Sequence, residues 1–523
     1  MEPFVSKHAD FVTGTLTGFD RLVFRGTLRL LAHVGGMMSY LWAVQVKLKE
    51  FASHAEATSK RLRDASESLA RQTGRPIRYL VSSGTNKEEI ARSIAQADGI
   101  KQGLICILTS VEPCLSYEIV RDRDRKEVRL EPRHRKCLHL YHYQIHPVFG
   151  FMHVRIQTWF PFAVQICLNG REWLARAMDG EGLHYVQRDN CFTWLEDPQR
   201  AQQLMAQQVR SAWPELLNGL ARIANPAHEA MFQAYPMEYY WSTYQSEWAT
   251  DIMFREASSL ARLYPKLVHH AMTSLGSPDV LRFLGNKVAA NGNIPPALKA
   301  EVASDMKRRP EGVRVKHRVG TNSVKMYDKQ GSVLRVETTI NDVDGFKTFR
   351  APEGKPQAPK SRQRMRKGIA DLYRRTEASQ ACNDRFLRAM AAVHDTTSLG
   401  ELTVRLCQPA KRSNGRRVRA INPHAPGDAK LFETVSRGEF IINGFRNRDL
   451  RQLLFADADA PKHEQRRHAA VVSRQIALLR AHRLVRKVPR SNRYHLSAKG
   501  RVIVTASIAV RNVAIENLTK LAA

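Results

Sequence analysis

Three short runs between Val313 and Ile340, VRVKHRVGTNSVKMYDKQGSVLRVETTI, alternate apolar and polar residues with the period of two that a strand imposes. They predict an antiparallel meander turned at Gly320-Thr321-Asn322 and at Asp328-Lys329-Gln330-Gly331, both rich in the residues hairpins need. In this register Val313, Val315, Val324, Met326, Leu334, Val336 and Thr338 point to a core, and Arg314, Lys316, Arg318, Lys325, Tyr327, Arg335 and Glu337 point away from it. The second face reads as a cationic sheet surface for nucleic acid, with a merely solvated face as the plainer alternative.

The same alternation recurs in residues 137–168, where CLHLYHYQI, FMHVRIQTW and FAVQICL predict three more strands. His139 and His142 fall on opposite faces of the first, and His142 and His146 lie about 13 Å apart along it, which argues against a histidine metal site. Upstream, Pro76–Val81, a helix over Lys87–Ala97 and Gly103–Leu108 predict a strand–helix–strand unit, preceded by a helical stretch over Gln45–Gln72. Asp20 stands inside the apolar run of VTGTLTGFDRLVFRG. That is where nuclease-type folds place a metal ligand, although a turn or capping Asp beside Gly18 is the favoured reading.

Tyr239 to Asp251, YYWSTYQSEWATD, reads as one helix, with Tyr240, Tyr244 and Trp248 on one stripe and Glu247 and Asp251 on a neighbouring one. This would put two candidate nucleophiles one turn from two carboxylates. An aromatic core stripe is the alternative. Residues 351–368, APEGKPQAPKSRQRMRKG, read as a basic linker or arm, followed by a helical connector and a basic loop over 369–427.

The expected fold class is therefore α+β and multidomain: an α/β domain over 1–130, a central domain of antiparallel β-sheets with a helical insertion over 131–350, the linker and connector, and a C-terminal module over 428–523. A chain of 523 residues is too long for a single ordinary core. Its formal net charge of +32 makes nucleic acid the default partner, because such an excess repels itself unless a polyanion neutralises it. Seven dispersed cysteines with no C-x-x-C pair fit reduced thiols and argue against a zinc ribbon or finger. The segment Leu30–Val46 is too short and too interrupted to span a membrane, and MEPFVSKHADF lacks the pattern of a secretory signal, so a cytoplasmic location is expected.

The C-terminal module carries the most specific pattern. An amphipathic helix over Phe445–Phe455 precedes a second over Arg466–His482, whose Val472, Ile476 and Leu479 form a buried stripe. Strands at Leu484–Val488 and Arg493–Leu496 flank the turn Pro489-Arg490-Ser491-Asn492, and Ser497 is placed to cap a last helix. This order is that of a winged helix-turn-helix. Arg467, Arg474, Gln475 and Arg480 are the candidate readers on the second helix, and Lys487, Arg490 and Arg493 the candidate wing contacts.

The run from Leu478-Leu479 through Leu484-Val485 to Tyr494-His495-Leu496-Ser497-Ala498-Lys499-Gly500 resembles the winged-helix modules of MarR-type regulators, over less than a fifth of the chain. The segment SVKMYDKQGSVLRVETTI resembles replication initiators of plasmids and filamentous phages, although no His-x-His metal motif precedes the tyrosines here. The chain as a whole is similar to a widespread group of uncharacterised bacterial proteins sharing GFRNRDLR and the YDK hairpin. These resemblances imply a DNA-binding protein of mobile-element or replication type.

Three readings follow. The first is duplex DNA binding, which in an enzymatic form would use Tyr240 or Tyr244 as nucleophile and Glu247, Asp251 or Glu337 to hold magnesium or manganese. The second is a non-enzymatic transcriptional regulator. The third is an RNA-binding protein whose aromatic, basic sheets stack unpaired bases. No membrane partner is expected, and the pattern leaves the oligomeric state open.

Overall fold

The computed structural model describes residues 1–122, 124, 127–286, 288, 301–309, 312–391, 399–412, 415–437, 440, 444–457, 459–488 and 491–512. The fold is mixed α/β, and the chain divides into two compact units, Met1–Pro265 with Ser304–Arg388, and Lys266–Ala303 with Ala389–Ala523.

One sheet organises the first unit. Its strands are β1 (Val12–Leu28), β2 (Ile77–Leu80), β3 (Gly103–Asp122), β4 (Glu127–His146), β5 (Gly150–Gln157) and β6 (Val164–Asn169). After the small separate hairpin of β7 (Tyr185–Arg188) and β8 (Cys191–Leu195) come β9 (Tyr239–Phe254), β10 (Val302–Arg309), β11 (Gly312–Val319), β12 (Asn322–Lys329) and β13 (Val333–Ile340). Across the sheet the order is β10-β11-β12-β13-β9-β1-β6-β5-β4-β3-β2. β2 pairs with β3 in parallel across the helix Lys87–Ala97, as the pattern predicts; the other pairings whose register is resolved are antiparallel.

The meander forms in the expected register, with Val315 opposite Met326, Lys325 opposite Glu337 and Met326 opposite Val336. Two expectations are corrected. A boundary near residue 130 would cut the β3–β4 pair, since a single sheet runs through both expected domains. The stretch over Tyr239–Asp251 is not a helix but the first part of β9, paired with β1 on one side and β13 on the other.

Apolar residues of β1 (Leu22, Phe24, Leu28) and of β5 and β6 (Val154, Ile156, Ile166, Leu168) join residues of helices Val34–Ala43, Phe51–Thr73 and Trp213–Ala224 in the main core. Helix Leu372–Met390 is stitched to β9 and β13: Asn383 donates to Trp248 O at 3.1 Å and accepts from Thr338 Oγ1 at 2.7 Å. The expected basic arm is tied down too. Lys347–Arg350 and Ser361–Arg364 pair as a hairpin, and Lys367 O accepts from the Thr243 amide at 2.7 Å.

In the second unit, helices Pro426–Val435, Asn447–Phe455 and Lys462–Ala481 precede strands Val485–Lys487 and Tyr494–Leu496 and helix Ala498–Asn512. Val472, Ile476 and Leu479 are buried, as their spacing predicts. Ser497 caps the last helix, its hydroxyl accepting from Gly500 N at 2.9 Å. Phe445 bridges to Tyr494, adding a short third strand to the hairpin. The turn between helices 447–455 and 462–481 is fixed by Asp457, which meets Arg451 at 3.1 Å and His468 at 2.9 Å, and Asn447 donates to Ala469 O and Ser473 Oγ, both at 2.9 Å.

Candidate functional site

Four adjacent strands bring polar side chains to one point on the sheet face opposite helix 372–390. Carboxylate oxygens of Asp20 on β1, Glu247 on β9 and Glu337 on β13 lie within 4.8 Å of one another. β1 carries an extra residue at this place: Phe19 pairs with Trp248 and Arg21 with Glu247, so Asp20 sits in a β-bulge. A bulge re-aims the side chain it carries, which is how an acidic residue in an apolar run reaches the cluster.

Lys325 on β12 supplies the nearest cation, its Nζ standing 2.6 Å from Glu337 Oε1 and 3.3 Å from Glu247 Oε1. Tyr327 donates to Glu337 Oε2 at 3.2 Å. Arg335 is fully buried; it donates from Nε and Nη2 to the two oxygens of Asp251, at 2.6 and 2.9 Å, and its Nη1 lies 3.3 Å from Asp20 Oδ1. Arg171, also fully buried, meets Asp251 at 3.0 Å. From the β7–β8 hairpin Asn190 donates to both oxygens of Asp20, at 3.0 and 2.9 Å, and Lys329 donates to Asn190 Oδ1 at 2.6 Å.

The carboxylates respond differently to this setting. Burial and the nearby Glu337 push Asp20 and Glu247 above the usual range, outweighing the cations beside them. Burial would raise Asp251 and Glu337 as well, but Arg335 and Arg171 hold Asp251 down and Lys325 holds Glu337 down.

These contacts revise the sequence reading. Asp251 is enclosed by two guanidinium groups and serves as a structural counter-ion, not a metal ligand. Of the expected cationic face, Arg335, Lys325 and Tyr327 are spent on internal pairing, and Arg314 meets Asp305 at 3.1 Å. Lys316 and Arg318 are half-buried on β11, the second strand from the edge. Tyr240 lies seven residues, or roughly 23 Å of strand, from Glu247. It is 42% exposed, with the Arg29 guanidinium 3.6 Å over its ring. Tyr244 is the extra residue of a second bulge in β9 and is 52% exposed. Neither tyrosine stands one helical turn from a carboxylate, because the helix is absent.

Further along the same face, Glu112 on β3 accepts from Ser110 at 2.6 Å, Tyr141 at 2.8 Å and Arg155 at 2.7 Å, and meets Lys87 at 3.1 Å. Burial alone would raise this carboxyl, but those donors pull it down to about 2. It ties together the strands and the helix that supply those partners. Its partners were hidden from sequence reasoning because they come from four separate elements.

In the second unit, Arg467, Arg474 and Arg480 are exposed along helix 462–481, and Lys487 is exposed on the hairpin. Gln475 is half-buried with its Oε1 lacking a hydrogen-bond partner, and Arg493 is half-buried. Arg467 and Arg474, seven residues apart, share a stripe. Arg480, six residues on, lies about 120° around the helix, so one face does not carry all three. Arg490 lies outside the described residues. A cleft of about 710 Å³ opens between this helix and the hairpin, lined by Arg446, Arg448, Ser473 and Asn492 among others.

Compared with known proteins, the chain matches no family model, no curated protein and no solved structure. Among the described residues no helix is long and apolar enough to cross a membrane.

Proposed function

We propose that the chain is a DNA-binding protein whose C-terminal unit acts as a winged helix-turn-helix. The observation that carries this reading is the placement of an exposed, arginine-bearing helix beside a basic hairpin, with a polar cleft between them. Helix 462–481 is the element that enters the major groove, its Arg467 and Arg474 directed at base edges, and the hairpin carries Lys487 and Arg493 to the phosphates. Helix 447–455 crosses the backbone ahead of it. The Phe445–Tyr494 bridge and the Ser497 cap support this reading because they lock the hairpin to the helices on either side.

The net charge of +32 fits a partner that binds by counterion release. Lys316 and Arg318 on the central sheet are the candidates for further phosphate contacts. Within this reading, mobile-element or replication-type proteins are the class proposed.

The test is selection of duplexes from a random pool by the full chain, followed by fluorescence titration at several salt concentrations. Recovery of a recurrent duplex sequence, bound with a steep salt dependence, supports the reading. Preference for structured RNA at equal salt overturns it.

A further inference from the structure

Residues 346–368, FKTFRAPEGKPQAPKSRQRMRKG, hold eight cations and a single carboxylate, Glu353. Strand alternation sorts the side chains of the hairpin formed by Lys347–Arg350 and Ser361–Arg364. Thr348 and Arg350 point inward and are buried, whereas Lys347, Phe349, Arg362 and Arg364 share the outer face and are exposed.

On that outer face Lys347 stands directly opposite Arg364, and Phe349 directly opposite Arg362. Like charges set opposite one another across a strand pair are destabilising. Among the described residues none of these three cations meets a carboxylate. Asp371, buried beneath the hairpin's end, is already shared by Arg366 at 3.0 Å and Arg374 at 2.6 Å. Phe349, between the cations, is 67% exposed. Folding gains nothing from this arrangement, but a polyanion that also carries flat apolar groups would satisfy every part of it.

We infer that this outer face binds a single strand of DNA, with Lys347, Arg362 and Arg364 on its phosphates and a base stacked on Phe349. The ring decides between a single strand and a duplex: bases in a duplex are stacked on one another, whereas an unpaired base offers its face to an aromatic side chain. The choice of DNA over RNA rests on the function proposed above. Because every base has such a face, this surface adds affinity without sequence preference, unlike helix 462–481.

The face is held in place from behind. Arg350 donates to Ala351 O at 3.0 Å and to Arg364 O at 3.1 Å, and the Met365 amide donates to Phe346 O at 3.1 Å. Past the hairpin, Gly368 bridges to Ser242 on β9 and lies so close to Tyr240 that an added Cβ would stand 2.6 Å from its hydroxyl. A surface fixed in this way loses little freedom when it binds.

The experiment uses the full chain and a fluorescent oligothymidine of about a dozen nucleotides, a length suited to such surfaces, with anisotropy read at several salt concentrations. Thymidine runs form no duplex, so helix 462–481 has no major groove to enter. The expected result is salt-dependent binding that Phe349→Ala weakens at least about fivefold and Phe349→Trp retains. Arg362→Gln with Arg364→Gln should lower the salt slope by about one, and Arg467→Ala with Arg474→Ala should leave the binding unchanged. Circular dichroism checks that each variant is folded. The inference is overturned if the native chain does not bind oligothymidine, if folded Phe349→Ala binds as the native chain does, if Arg467→Ala with Arg474→Ala weakens binding as much as Phe349→Ala, or if oligouridine of the same length binds more tightly. Duplex selection is read on a different ligand, so failure here is distinguishable from failure of the winged-helix reading.

Discussion

Arg335 and Asp251 meet through two parallel hydrogen bonds, Nε to Oδ1 at 2.6 Å and Nη2 to Oδ2 at 2.9 Å, with both side chains shut off from solvent. The pair joins β13 to β9, where the two residues stand directly opposite. Removing one partner leaves the other charged and buried, which costs about 3–5 kcal/mol, whereas an apolar pair of similar volume is often tolerated. Arg335→Met is therefore expected to destabilise the first unit by that amount, and Arg335→Met with Asp251→Leu to recover little of it, because Arg171 is then left buried without its counter-ion. Urea unfolding of the three proteins checks this. A single variant as stable as the native chain would show that the pair carries little.

The buried imidazoles give the chain an acid-side weakness. Burial lowers His139, His142 and His317 to about 4, and His142 Nδ1 and His317 Nε2 have no hydrogen-bond partner to welcome a proton. Between pH 6.5 and 4 the unfolded chain binds protons that the folded chain refuses, so stability is full above the unfolded value and falls as the pH drops toward the folded one. Each group contributes up to about 1.4 kcal/mol per pH unit inside that window. Stability measured from pH 7.5 to 5 should decline, and His142→Gln should flatten the slope. A slope that His142→Gln leaves unchanged would contradict the assignment.

At Gly500, in the first turn of helix 498–512, an added Cβ would stand 2.0 Å from Leu484 O. That contact is with backbone, which cannot swing aside. Gly500→Ala should cost about 1–3 kcal/mol by overpacking, more than the gain of up to about 1 kcal/mol in helix propensity. It should also loosen the hairpin that leads into this helix. Thermal unfolding of the variant, followed in the second unit by its own transition, reads the effect, and a stabilised variant would contradict so close an approach.

How much of this was legible follows from periodicity. The meander, the strands around His142, the helix Lys87–Ala97 and most elements of the C-terminal unit keep an unbroken period, and each forms where the pattern places it. β9 was misread because the extra residue at Tyr244 shifts the parity of the strand, leaving Tyr240, Tyr244 and Trp248 at an accidental spacing of four. The single sheet was not legible at all. It depends on pairing β1 with β9 across more than two hundred residues, and no local pattern encodes a partner that distant. The candidate site inherits both difficulties, since Asp20 and Glu247 lie on those two strands. That Arg335 and Lys325 of the cationic face are neutralised internally was not legible, because a sequence shows the sign of these residues but not the carboxylates that pair with them.

The two kinds of C-terminal cation should separate in their effects. Arg467→Ala or Arg474→Ala is expected to cost about 1–3 kcal/mol and to relax sequence preference, whereas Lys487→Ala should weaken binding to all duplexes alike and reduce the salt slope by about one. Titrating a selected duplex and a scrambled one with each variant distinguishes these outcomes. Equal losses on both duplexes for all variants would remove the case for base reading.

The central claim is that duplex DNA is held by helix 462–481 and its hairpin, and the most direct measurement is the affinity of the full chain for duplex DNA as a function of salt, with and without Arg467→Ala, Arg474→Ala and Lys487→Ala together. The account predicts that the triple variant, folded as judged by circular dichroism, loses most of its affinity and shows a shallower salt dependence. An affinity and slope equal to those of the native chain would contradict it.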